Sequence, residues 1–217
     1  MSNSKPGNIV KQIICYIGGL LIITIGINIS KMSNLGISPV SSIPRATEQI
    51  WGFTLGVTTF IIYIFLVVAQ LVILRKDFKL RNALGILLTF VFSWMIDLTG
   101  TDPKAIGHLM LNFPRPSNYI MQFIYMVVSV IIIGIGVLYL RPNWVPMPAE
   151  GLAGAIAQAT GKTFGDCKTI VDTSMIAIAL ILQLIFLGGL QSFVGEGVVV
   201  REGTIIAAIC VGQVVKF

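Results

Sequence analysis

Residues 39–56, PVSSIPRATEQIWGFTLG, and residues 148–165, PAEGLAGAIAQATGKTFG, align without a gap. Pro39 meets Pro148, Ala46 meets Ala155, Gln49 meets Gln158, Gly52 meets Gly161, Thr54 meets Thr163 and Gly56 meets Gly165, six identities in eighteen positions. Each stretch starts with proline, continues in helix-forming residues and ends its helical part at a glycine, Gly52 or Gly161. Proline at the first helical position and glycine just past the last mark a short helix. The same offset of 109 places Tyr16 on Tyr125, and an offset of 120, with one insertion, places Arg81 on Arg201. A short helix therefore recurs inside a longer recurring unit.

What surrounds the two short helices is apolar. Of the 217 residues, 55% are hydrophobic and 11% are charged, against about 25% charged in an ordinary soluble domain. The mean hydropathy is +0.91. A soluble domain of this length keeps roughly 30% of its chain surface exposed, too much for so few polar residues to cover. The chain reads as an integral membrane protein with spans at 9–29, 54–74, 83–98, 119–140, 169–190 and 203–217, the fifth with room to start at 164–166. Helices are the expected form, because an open strand leaves its backbone unsatisfied in lipid. The sixth stretch reaches only about 22 Å at 1.5 Å per residue, against a hydrocarbon layer about 30 Å thick. Either the natural chain continues past Phe217, the favoured expectation, or the sixth span ends mid-membrane inside the protein. Met1–Asn8 is polar and the apolar run behind it is too long for a signal peptide, so it is expected to stay as an anchor.

The formal net charge of +6 reads as basic cytoplasmic loops rather than nucleic-acid contact. With the N-terminus inside, ten basic residues fall on the cytoplasmic side: Lys5, Lys11, Arg75, Lys76, Lys79, Arg81, Arg141, Lys162, Lys168 and Lys216. Five fall on the other side: Lys31, Arg45, Lys104, Arg115 and Arg201. Both termini are thus expected in the cytoplasm. Cys15, Cys167 and Cys210 form neither a metal spacing nor a disulfide framework. A single histidine, His108, excludes a multi-histidine site, and no metal or cofactor is expected.

The unit of span, long hairpin, span and span occurs twice, over 1–107 with its hairpin at 31–53 and over 108–217 with its hairpin at 141–168. Three spans is an odd number, so the copies enter the membrane with opposite orientation, as in many secondary transporters. The expected fold is an all-α membrane protein: six transmembrane helices in two inverted three-helix repeats, each with a re-entrant or broken helical hairpin after its first span. The second hairpin is too rich in Ala and Gly for a solvated loop, and irregular backbone at membrane depth survives only where protein or a cavity covers it. Entering from opposite faces, the hairpins would meet near the midplane. Their N-terminal amides would present positive dipole ends to an anion or carboxylate.

The segment Asn34-Leu35-Gly36-Ile37-Ser38-Pro39, its continuation to Gly56, and Arg201-Glu202-Gly203-Thr204 resemble the YczE/YyaS/YitT group of bacterial six-span membrane proteins. The specific part is the LGxxP segment with the glycine that ends its hairpin. The resemblance covers most of the chain in layout, though the short sixth span departs from it. It implies a multi-pass protein of the bacterial inner membrane, for which transport is the usual supposition.

Candidate site residues gather in the hairpins. Arg45 and Glu48 lie three apart on one helix face; they are either an anion ligand with a proton or cation carrier, or an ion pair within the hairpin. Glu150, in the first turn of the second short helix, is either a cap or a ligand. Ser38, Ser41 and Ser42 form a hydroxyl cluster at the other N-terminus. Asp166, Lys168 and Asp172 mark the entry to the fifth span, with Lys168 placed to pair with Asp172. Gln213 is a further candidate ligand, while Asn28, Gln70, Gln122 and Gln183 are expected to bond neighbouring helices. Gly52, Gly56, Gly161 and Gly165 recur at matched spacing and are expected to let helices approach closely, as are Gly18, Gly19 and Gly26.

Gly161-Lys162-Thr163 echoes the end of a phosphate-binding loop, but Ile156 stands where its leading glycine belongs. Gly165-Asp166 echoes an intramembrane aspartyl protease without its partner aspartate. No catalytic constellation emerges, so an enzyme is not expected. The expected function is alternating-access transport of a small polar or charged solute bound between the hairpins. The alternative is a non-transporting membrane subunit, such as the solute-binding component of an energised transporter or an accessory protein of a secretion or biosynthesis system. The expected partners are the lipid bilayer, the solute and a second copy of the chain in a homodimer, with no nucleic acid.

Overall fold

The computed structural model describes residues 6–78, 80–105, 107, 109–110, 112–140, 145–188, 199–204 and 208. Most of the sixth expected span lies outside the described residues, and Gln213, Cys210 and His108 lie there too. Among the described residues the regular elements are all helical: α1 (Pro6–Ser33), α2 (Pro39–Trp51), α3 (Leu55–Leu74), a 3-10 turn at Arg75–Asp77, α4 (Leu80–Leu98), α5 (Tyr119–Tyr139), α6 (Pro148–Thr160) and α7 (Phe164–Phe186). Four stretches, Gln12–Ser33, Leu55–Asp77, Tyr119–Tyr139 and Phe164–Phe186, are long and apolar enough to cross a membrane, and Asn82–Leu98 is a shorter apolar helix. Large apolar side chains lie exposed along them, among them Phe65, Leu87, Ile120 and Ile185. Such a surface is an aggregation hazard in water and the ordinary face of a helix in lipid. The molecule is a helical membrane protein.

Helix boundaries differ from the expected spans in α1, α4, which starts at Leu80 rather than 83, and α7. α1 does not stop at 29 but runs to Ser33, because its polar end is buried and satisfied: Ser33 Oγ donates to the Ser30 carbonyl at 2.7 Å. α7 starts at Phe164, within the 164–166 region the sequence allowed, and ends at Phe186 rather than 190. Thr163 Oγ accepts the Asp166 N–H at 3.2 Å and donates to the Asp166 carboxylate at 2.7 Å, a local cap that starts the helix early. Its other end gives way at Gly188, whose φ of 98° is left-handed.

The two short helices have matching local structure. Each is thirteen residues long with proline in its first turn. Each closes on a left-handed glycine, Gly52 at φ 71° and Gly161 at φ 70°. The amides of these glycines donate back to Glu48 and Ala157, both at 2.9 Å. Two residues on, Thr54 and Thr163 cap the next helix with their side chains.

The helices pack around two adjoining clusters. Leu20, Ile23 and Ile27 of α1, Tyr63 of α3, Phe92 and Ile96 of α4 and Ile133 of α5 form one, with Tyr63 and Phe92 stacked at 6.0 Å. The other gathers Ile43 and Ala46 of α2, Ala149 and Ala153 of α6, and Cys167, Val171 and Met175 of α7. Within this arrangement α2 packs on α7 and α6 packs on α3, while α1 runs along α5. The α1–α5 crossing is close because glycines face each other there: a Cβ on Gly136 would stand 2.9 Å from the Gly19 carbonyl oxygen.

Candidate functional site

At the end of the molecule where α1 finishes, Lys31 in its last turn meets α2. Lys31 Nζ and Arg45 Nη1 each lie 2.5 Å from the Glu48 carboxylate, one on each oxygen. Glu48 is 6% exposed. Its position follows from α2 itself, since Arg45 and Glu48 are three residues apart and share a face. Beside this triad opens a cavity of about 260 Å³ whose wall includes Lys31, Asn34, Arg45, Thr101 and Arg115. The expected Arg45–Glu48 pair is therefore present, joined by Lys31 and next to Arg115, two residues whose sequence positions mark only the membrane orientation.

Asp97, near the end of α4, was not among the expected site residues. It is buried, with its two oxygens accepting the Gly56 amide at 2.8 Å and the Thr54 hydroxyl at 2.6 Å. A carboxylate so placed satisfies the free donors at the start of α3 and suits the positive end of the helix dipole. Gly56 makes this possible, because a Cβ there would collide with the Ser93 carbonyl and the Asp97 side chain. The sequence signal was an acid inside an otherwise apolar span, which demands a partner.

The second group lies at α6 and α7. Glu150 accepts the Met147 backbone N–H, and Lys168 and Asp172 are its electrostatic neighbours. Tyr63, buried in α3, lies close enough to feel both Glu150 and Asp172. The Met147 bond is half of a capping box. Lys168 Nζ holds both oxygens of Asp172, at 2.6 and 2.9 Å. Asp166 caps α7 through Thr163. In the string Gly161-Lys162-Thr163, the first residue ends α6 and the third caps α7.

The serines occupy the start of α2. Ser38 Oγ donates to Ser41 Oγ at 3.2 Å. Ser42 Oγ is 2.6 Å from the Pro39 carbonyl and 3.3 Å from that of Met175 in α7. The expected residues thus form two charged clusters and a hydroxyl segment at the start of α2, not a single constellation; Gln213 lies outside the described residues. The buried amides tie elements together. Asn28 reaches Ile96 O and Thr99 Oγ of the α4 end at 3.0 Å, Gln70 reaches Pro148 O at 2.9 Å, and Gln183 accepts the Val200 amide at 2.9 Å.

The glycines divide by role. Gly19, Gly26 and Gly56 face close neighbours. A Cβ on Gly52 or Gly161 would meet open space, and these two serve their left-handed caps instead. Gly165 and Gly18 likewise face no neighbouring helix among the described residues.

The segment 34–36 packs on residues 199–204. The Gly203 amide donates to the Leu35 carbonyl at 2.9 Å, and Arg201 Nη1 to the Asn34 carbonyl at 3.3 Å. Glu202, just before the expected sixth span at 203–217, is held by Arg201 and Tyr119. Burial alone would push its carboxyl up, but its own backbone amide, Arg201 and Tyr119 outweigh that and hold it below the ordinary range. The two segments carrying the family resemblance are therefore in contact.

Among known proteins, the chain resembles the uncharacterized protein YyaS of Bacillus subtilis (strain 168), with 26% identity over 171 residues covering 78% of each chain. This agrees with the resemblance of the 34–39 segment. No solved structure matches. Residues 10–217 match a family described as a family of unknown function, DUF6198. A match over nearly the whole length shows that the chain belongs to that family.

Proposed function

We propose that this protein is an alternating-access transporter of a small polar or charged solute. It would be built of six spans in two inverted repeats, with α2 and α6 as re-entrant half-helices and both termini on the cytoplasmic side of the bacterial inner membrane. The observation that carries the reading is reciprocal packing. The short helix of the first half lies against the long helix that follows the other short helix, and the reverse holds too: α2 on α7, α6 on α3. A pseudo-two-fold axis relating two inverted repeats turns one of these contacts into the other.

The depth of α2 supports the same reading. Ser42, in its first turn, reaches the carbonyl of Met175, about 16 Å along α7 from its start at 1.5 Å per residue. Both short helices also belong to one core cluster, as expected of two half-helices converging inside the bundle. The two charged clusters would then face the solute path from opposite ends.

The test is a thermostability screen of purified protein against amino acids, organic anions and metal cations, followed by counterflow uptake in proteoliposomes for any solute that shifts the melting temperature. Transport predicts a shift from one solute class and saturable counterflow of it. No shift from any class, with normal growth of Arg45→Ala and Glu150→Ala strains, overturns the reading. A stoichiometrically co-purifying ATPase would replace it with the binding-component alternative.

A further inference from the structure

We infer that the cavity between the end of α1 and α2 binds a small oxyanion, a carboxylate or phosphate group, through Arg45 and Arg115. This deepens the transport reading by naming the class of solute, and rests on it only for the steps after binding. The charged side chains on the cavity wall, Lys31, Arg45 and Arg115, are all cationic. Thr101 adds a hydroxyl.

The nearby acids are spent elsewhere. Glu48 has one oxygen on Lys31 and the other on Arg45. Asp97 has both oxygens on the start of α3. Glu48 engages one donor nitrogen of each cation, which leaves Lys31 two ammonium hydrogens and Arg45 most of its guanidinium fork. Arg115 is exposed and makes no ion pair among the described residues. Asp102, next to Thr101, has one oxygen on the Lys104 amide. The three cations on the cavity wall face the one carboxylate of Glu48, which leaves the wall positive.

A guanidinium fork matches two oxygens of a carboxylate or phosphate at once. The volume of about 260 Å³ lies just below the range of roughly 300–1,000 Å³ found for drug-sized ligands, so the anion is small. The arrangement is one-sided. Arg45 corresponds to Gly154 in the aligned repeat, and the other charged cluster sets two acids, Glu150 and Asp172, against one base, Lys168.

The experiment uses the full chain in nanodiscs of phosphatidylcholine at low ionic strength, titrated with succinate, inorganic phosphate and, as a cation control, methylammonium. Wild type should be stabilised by at least one of the two anions and not by the cation. Arg115→Ala, which breaks no ion pair among the described residues, should keep the unliganded melting temperature and weaken anion binding at least about tenfold. Arg115→Lys should fall between them.

A lipid headgroup carries the same chemistry, so a second arm adds phosphatidylglycerol. Stabilisation by that lipid alone, lost in Arg115→Ala, assigns the oxyanion to the headgroup; stabilisation by soluble anions assigns it to a free solute. Equal titration of wild type and Arg115→Ala, equal response to methylammonium, or no response to either anion source overturns the site. Anion binding without counterflow uptake would instead defeat transport and leave the site standing.

Discussion

Glu48 and Asp97 are both buried acids, yet they are held in different ways. Glu48 is neutralised by two cations, so Glu48→Gln leaves Lys31 and Arg45 facing each other without a counter-charge. The expected loss is about 3 kcal/mol, measured by unfolding in detergent. Asp97 has no cation in its bonds and is held by an amide and a hydroxyl. Asp97→Ala strands both donors at the start of α3 and is expected to cost about 2–3 kcal/mol, with Asp97→Asn costing less because it keeps one acceptor. A larger loss in the Asn variant than in the Ala variant would contradict this account. The Arg45–Glu48 and Lys168–Asp172 pairs were legible in the sequence because their spacing on a helix dictates them. Lys31 and Asp97 were not, because their partners come from other helices and no local spacing encodes that.

Among the elements, the short helices were the most legible part, since proline and glycine punctuate the chain by their own backbone geometry. The reason for each glycine was less so. Gly52 and Gly56 are equally spaced partners in sequence, but one adopts a left-handed cap in open space and the other lets the Asp97 carboxylate reach the start of α3. Gly52→Ala and Gly161→Ala should therefore each cost only about 1 kcal/mol, the left-handed penalty of a Cβ. Gly136→Leu forces a side chain against the α1 backbone at Gly19 and should cost about 1–3 kcal/mol or separate the two helices. Denaturation midpoints in one detergent rank the three. A Gly52→Ala loss of about 3 kcal/mol, the upper end of the packing range, would place Gly52 in packing after all.

At the level of the whole molecule, composition was enough to name the solvent, and the ten-to-five distribution of basic residues sets the proposed orientation. That orientation predicts labelling. With the native cysteines replaced, Lys104→Cys should react with a membrane-impermeant thiol reagent in intact cells, and Lys76→Cys only after permeabilisation. The reverse pattern would invert the proposed topology. One contact also bears on how the protein is made. Arg201 and Asn34, joined by a hydrogen bond, are 167 positions apart. At about 5–20 residues per second, the ribosome delivers Arg201 roughly ten to thirty seconds after Asn34. Throughout that interval the Leu35 carbonyl and the Asn34 carbonyl lack the partners they have in the finished protein. Segment 34–36 is thus made early and receives these contacts only after 167 further residues have been added.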